Sequence, residues 1–108
     1  MRYPRTPDGR YFVAKGRLWR CTDPSLLPEE RARWVKALMQ ARRAVREARG
    51  RGDLEALKEA RRRVDEAKRA LGERGPPWWG EGPDYTGRRV ENTPYRDWYF
   101  SLERDADP

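Results

Sequence analysis

The stretch PEERARWVKALMQARRAVREARGRGDLEALKEARRRVDEAKRALG, residues 28–72, decides the fold. It opens on Pro28, Glu29 and Glu30: a proline in a first helical turn needs no donor, and two carboxylates meet the positive end of the helix dipole. Trp34, Leu38, Ala41, Val45 and Ala48 then recur at alternating spacings of four and three, a heptad seam that Val35 and Met39 widen at one end. Gly50 is the expected stop, so the first helix is predicted from Pro28 to Arg49. Asp53 caps a second helix, with Glu55 in its first turn, and Leu57, Ala60, Val64, Ala67 and Leu71 repeat the seam up to Gly72. Joined by so short a loop, Gly50-Arg51-Gly52, the two helices must fold back on each other as an antiparallel helical hairpin over 28–71. Alanine on both seams allows close approach but leaves little apolar area. The expectation is therefore a homodimer, two hairpins completing a four-helix core.

Upstream, Asp8-Gly9 marks a turn, and Arg10–Ala14 and Arg17–Cys21 flank Lys15-Gly16 with aromatic and β-branched residues, the pattern of a β-hairpin within 1–22. A two-residue loop sets Phe12 opposite Trp19 and Val13 opposite Leu18. Lysine suits the first position of a type I′ turn poorly, which leaves a type I turn with a bulge at Gly16 as the other option. Phe12 and Trp19 are expected in the core. Such a hairpin is marginal alone and must lie on something, for which the helices are the candidate.

Downstream, Gly75–Tyr85 holds too much Pro and Gly for regular structure and too many aromatics for a free linker. Thr93 and Pro94 open a short helix reaching about Glu103, with Tyr95, Trp98, Tyr99 and Leu102 on one face. The fold class is mainly α (α+β), one domain over 1–108: a β-hairpin over 1–22, the helical hairpin, an irregular Pro/Gly/Trp-rich wrap with a short helix over 73–103, and a frayed tail over 104–108. The wrap should add to the helical hairpin the area its alanine seam lacks.

The chain has 108 residues, of which 40% are charged and 36% apolar, so its core must be small. It has no His, which excludes His-based triads and ligands, and one Cys, Cys21, which excludes an intrachain disulfide and multi-Cys metal sites. Cys21 is expected to be a small buried side chain rather than an activated thiol. No carboxylate pair sits in a pocket-forming context, and Gly80–Arg89 lacks a nucleotide fingerprint, so neither an enzyme nor a cofactor is expected. The longest apolar run, Tyr11–Ala14, is far short of a membrane span, and no apolar segment follows the basic N-terminus. No membrane association and a cytoplasmic location are the expectation.

Net charge is +7, and its distribution is uneven. Residues 1–51 carry 14 basic and 5 acidic side chains, whereas residues 72–108 carry 5 and 8. Two basic groups stand out. Arg42, Arg43, Arg46 and Arg49 form a stripe on the first helix, with Arg51 in the loop; Arg42 and Arg49 flank the seam while Arg43 and Arg46 point outward. The second helix offsets its own charge through Glu59–Arg63, Asp65–Arg69 and Arg62–Glu66. On the β-hairpin, Arg2, Arg5, Arg10, Lys15, Arg17 and Arg20 alternate with Tyr3, Tyr11, Phe12 and Trp19, a pattern shared by single-strand readers and by any half-buried hairpin. Arginine-rich composition alongside abundant Ala, Gly and Pro is also what a GC-rich genome encodes. Trp78 and Trp79, after Pro76-Pro77, could stack on bases, receive a partner, or cap the helical hairpin.

Tyr11-Phe12-Val13, Gly16–Cys21, Ala41–Val45, Leu71–Gly75 with Trp78-Trp79, and Asn92–Tyr95 with Trp98-Tyr99 together resemble a group of short hypothetical proteins from bacteria. The likeness extends over nearly the whole chain and implies a free-standing bacterial protein, with no activity attached.

Two functions fit these features. The first is a small non-enzymatic protein associated with nucleic acid through Arg42, Arg43, Arg46, Arg49 and Arg51 and through Arg10, Lys15, Arg17 and Arg20 of the hairpin, holding phosphates with little base specificity. The second is a protein–protein adaptor that docks a partner on its aromatic C-terminal segment.

Overall fold

Alternation of inward and outward side chains starts the fold at its N-terminal end. The structure, a computed structural model, describes residues 3–106. Strands β1 (Tyr11–Ala14) and β2 (Arg17–Arg20) pair antiparallel with Phe12 opposite Trp19 and Val13 opposite Leu18, the register a two-residue loop requires. Lys15 and Gly16 both take positive φ, 54° and 75°, so the turn is of the primed kind and carries no bulge. The core face is not the one expected. Tyr11, Val13, Leu18 and Arg20 are buried, while Trp19 is exposed and Phe12 half-buried against Tyr3. An inward arginine is what misleads the sequence reading: Arg20 occupies the place an apolar residue would mark.

Both edges of this two-stranded sheet are covered by the chain itself. The Val13 N–H donates to Pro4 O and the Thr6 N–H to Tyr11 O, both at 2.9 Å, along β1. Along β2, the Leu18 N–H donates to Arg88 O at 2.9 Å and the Gly87 N–H to Leu18 O at 2.7 Å. Val90, in a short 3-10 turn (Val90–Asn92), joins Tyr11, Val13 and Leu18 in a core against which Trp79, Tyr85, Tyr95, Trp98 and Tyr99 pack. Within its own unit the hairpin packs against the C-terminal aromatics. Helix α3 begins at Arg96, three residues past its anticipated cap: Thr93 Oγ1 accepts from the Tyr95 N–H at 3.3 Å, but Pro94 and Tyr95 still form a turn. It continues to Ala106, through positions 104–106 where a frayed tail is expected. Arg2 and the last two residues of that tail lie outside the described residues.

The second unit is the helical hairpin. Helix α1 spans Pro28–Arg51 and α2 spans Leu54–Ala70. Helix α1 runs through Gly50, which is helical, and ends at Gly52, whose φ of 68° is the left-handed cap. The second glycine stops the helix because the turn into Asp53 takes positive φ there. Asp53 accepts from the Ala56 N–H at 3.0 Å, the expected N-cap. Leu38, Ala41, Ala48, Ala60, Ala67 and Leu71 are buried along the paired seams, and Trp34 and Val64 pack beside them.

The chain divides into two compact units, one built from the residues up to Cys21 and from Trp79 onward, the other from Thr22–Trp78. The division falls between the two adjacent tryptophans.

Candidate nucleic-acid interface

Arginine is held open or closed by what its neighbours offer. On α2 the acids are placed to take it: Arg62 pairs with Glu59 at 2.7 Å and with Glu66 at 3.1 Å, and Asp65 takes both Arg69 at 2.8 Å and Arg74 at 3.1 Å. Glu59 is thus held by Arg62 rather than by Arg63 as expected. On α1 the only acid within the stripe is Glu47. Arg42, Arg43, Arg46, Arg49 and Arg51 are all exposed, and none enters an ion pair among the described residues. Like charges three and four residues apart repel, so the stripe is a mild cost to the helix that an anion would relieve.

Its geometry differs from the heptad expectation at one position. Arg46 does not simply point outward: with Arg42 it lines a groove of about 510 Å³ shared with α2, together with Val45, Arg61, Val64 and Arg74. Positions 42 and 46 are one turn apart and share a face, which places both at the rim. Arg61 and Arg74 are missed by the sequence reading. The signal was available for Arg61, since Asp65, its acid one turn on, has Arg69 in the better-oriented position. Nothing in the sequence brings Arg74 back to the helix, because it lies beyond Gly72. The field in this region is positive enough to reach Lys68, whose pKa is lowered by burial first and then by Arg74 and Arg42, against a smaller pull from Glu73. On the same hairpin, a smaller hollow of about 270 Å³ is lined by Trp34, Ala37, Arg62, Arg63 and Glu66. There Arg62 is already paired with Glu66, so that hollow has less charge to offer.

The β-hairpin cations do not form a matching surface. Arg20 is buried and donates to Asp84 at 2.6 Å, so it cannot serve as a phosphate contact. Arg10 sits over the Trp79 ring at 5.1 Å from its centroid, and Arg20 over the same ring at 5.6 Å. The Arg17 guanidinium donates to Gly87 O at 2.8 Å, and Lys15 is exposed at the turn. Trp79 is a core ring of the first unit, edge-on to Tyr11 with centroids 5.2 Å apart. Trp78 is half-buried in the helical unit, with its Cδ1 beside Gly72. Cys21 is buried, as expected of a small packing residue.

No helix among the described residues is long and apolar enough to cross a membrane, and no group of three or more His, Cys, Asp or Glu that could hold a metal occurs among them. No family model matches the chain, and neither a curated protein nor a solved structure matches it.

Proposed function

We propose that this is a small non-enzymatic protein that associates with nucleic acid through the helical hairpin, with Arg42, Arg43, Arg46, Arg49 and Arg51 as its phosphate contacts. One observation carries the reading: these five guanidiniums are exposed and in no ion pair among the described residues, while Glu59, Asp65 and Glu66 of α2 are engaged by other arginines. Guanidinium forks take phosphate oxygens in pairs and release counterions on doing so, which gives affinity with little dependence on sequence. The β-hairpin contributes at most Lys15 and Arg17. The adaptor reading asks the C-terminal aromatics to face a partner. Trp79, Tyr85, Tyr95, Trp98 and Tyr99 are packed on the hairpin core instead, which favours the phosphate reading.

Titration of labelled single- and double-stranded DNA at low and moderate salt tests this. The expected result is binding at low salt that weakens as salt rises and is abolished by joint replacement of Arg42, Arg43 and Arg46 with Ala at unchanged helicity. Absence of binding at low salt contradicts it. The same reading includes self-association in the cytoplasm, with exposed Val35 and Met39, one turn apart on α1, as the face that meets a second copy.

A further inference from the structure

The groove between α1 and α2 has a composition that a bare phosphate backbone does not need. Its lining combines four guanidiniums, from Arg42, Arg46, Arg61 and Arg74, with two valines, Val45 and Val64, and no carboxylate. Arg42, Arg46 and Arg61 are in no ion pair among the described residues, and Arg74 is steadied by Asp65 at 3.1 Å. Its volume, about 510 Å³, lies in the range that encloses a ligand of nucleotide size. An extended polyanion lying across the outer arginines would leave the valines wet. A ligand with an anionic edge and a flat, weakly polar body would use both. Acidic peptides match the charge but bring no such body.

We propose that this groove seats one unpaired nucleotide of a single strand, its base over Val45 and Val64 and its flanking phosphates on Arg42, Arg46 and Arg61. The inference rests on the phosphate-binding reading above and makes that reading selective. In a duplex the base faces are covered by their stacked neighbours, so a duplex reaches only the outer arginines unless a base is unstacked. Lys68 serves as a reporter. Arg42 and Arg74 help hold its ammonium below the ordinary lysine range, and an anion among them reverses that push.

The test compares a labelled oligo-dT strand of about twelve nucleotides, within the range one small domain covers, with a duplex of equal length at the same salt. The full chain should bind the strand at least tenfold more tightly than the duplex. Arg61→Gln, at an exposed and unpaired position, and Val64→Thr should each lose about fivefold or more on the strand and leave the duplex unchanged. Arg43→Gln, outside the groove, should weaken both alike. Titration of Lys68 by NMR should move further toward the ordinary lysine value when the strand is added than when the duplex is. Equal affinity for strand and duplex, or equal loss on both from Arg61→Gln, overturns the groove proposal while the phosphate reading stands. A poly-Glu peptide binding as tightly as the strand also overturns it and assigns the groove to acidic protein. Failure to bind either DNA at low salt removes the phosphate reading itself.

Discussion

Arg20 and Asp84, sixty-four residues apart in the chain, meet at 2.6 Å and tie the irregular segment after α2 to the β-hairpin. The Asp84 carboxylate also accepts from the Thr86 N–H and hydroxyl, and the Tyr11 hydroxyl, which accepts from the Tyr85 N–H at 2.9 Å, lies within 3.4 Å of it. The arginine side chain is 3% exposed and the carboxylate 36%, so the two halves of the pair are not equivalent. Removing the acid takes the carboxylate partner from a buried cation, whereas removing the cation leaves a carboxylate that water can reach.

Asp84→Ala should therefore cost the first unit more than Arg20→Met. The expected loss for Asp84→Ala is about 1–3 kcal/mol, reduced from that of a fully buried pair by the exposure of the acid. Urea unfolding followed by tryptophan fluorescence measures both. A larger loss from Arg20→Met would contradict the asymmetry.

Acid should loosen the same unit. Burial raises the pKa of Asp84, but the hydrogen bonds from Thr86 and then Arg20 outweigh it and hold the carboxyl below the ordinary aspartate range. Asp8 behaves alike: burial opposes, while Tyr95, Thr6 and Arg10 lower it. A carboxyl with a depressed folded value contributes stability above its unfolded pKa, about 3.9, and loses that contribution as pH falls through the folded value. Stability should thus be flat near neutrality and fall below about pH 4. Joint Asp8→Asn and Asp84→Asn replacement should lower the plateau and flatten the acid limb.

Two glycines of the helical unit should respond in opposite directions. Gly50 is helical and a Cβ there meets open space, so Gly50→Ala should stabilise by about 0.5–1 kcal/mol. Gly72 has a φ of 77°, and a Cβ would lie 2.8 Å from Asp23 Cβ and 3.2 Å from Trp78 Cδ1. Gly72→Ala should cost about 1–3 kcal/mol. Thermal unfolding by circular dichroism separates them, and a neutral Gly72→Ala would show that Asp23 and Trp78 yield easily.

Self-association should depend on α1. Met39 is 58% exposed and Val35 38%, large apolar side chains left partly open among the described residues. Light scattering at micromolar concentration should return a dimer mass for the full chain and a monomer mass for Met39→Glu. A monomer mass for the unaltered chain would remove the dimer.

The helical hairpin was legible in the sequence because each of its signals is local: Pro28 at the start, Asp53 at the second cap, and seams whose period needs no partner to be read. The first helix ends at Arg51 rather than Arg49 because two glycines lie close enough that either could stop it, and the second ends at Ala70, one residue short of Leu71. The β-hairpin register was legible for the same reason, but its buried face was not. Arg20 is inward only because Asp84 and Trp79 arrive from far along the chain to receive it, and no local pattern announces such a partner. The candidate site divides likewise. The stripe on α1 follows from helical spacing alone, whereas Arg74 joins the groove through the path of the chain after Gly72, and the loss of Arg10 and Arg20 to Trp79 depends on tertiary packing.

The salt dependence of binding tests most directly whether the arginines of α1 hold phosphates. A logarithmic plot of the affinity for duplex DNA against salt concentration should have a slope of about −3.6 to −4.5, the release expected when roughly four or five phosphates are neutralised. Replacing Arg42, Arg43 and Arg46 with Ala should bring that slope close to −1 to −2, on the same scale of roughly one unit per contact, or abolish measurable binding. A slope near zero, or one left unchanged by the triple replacement, would contradict the account.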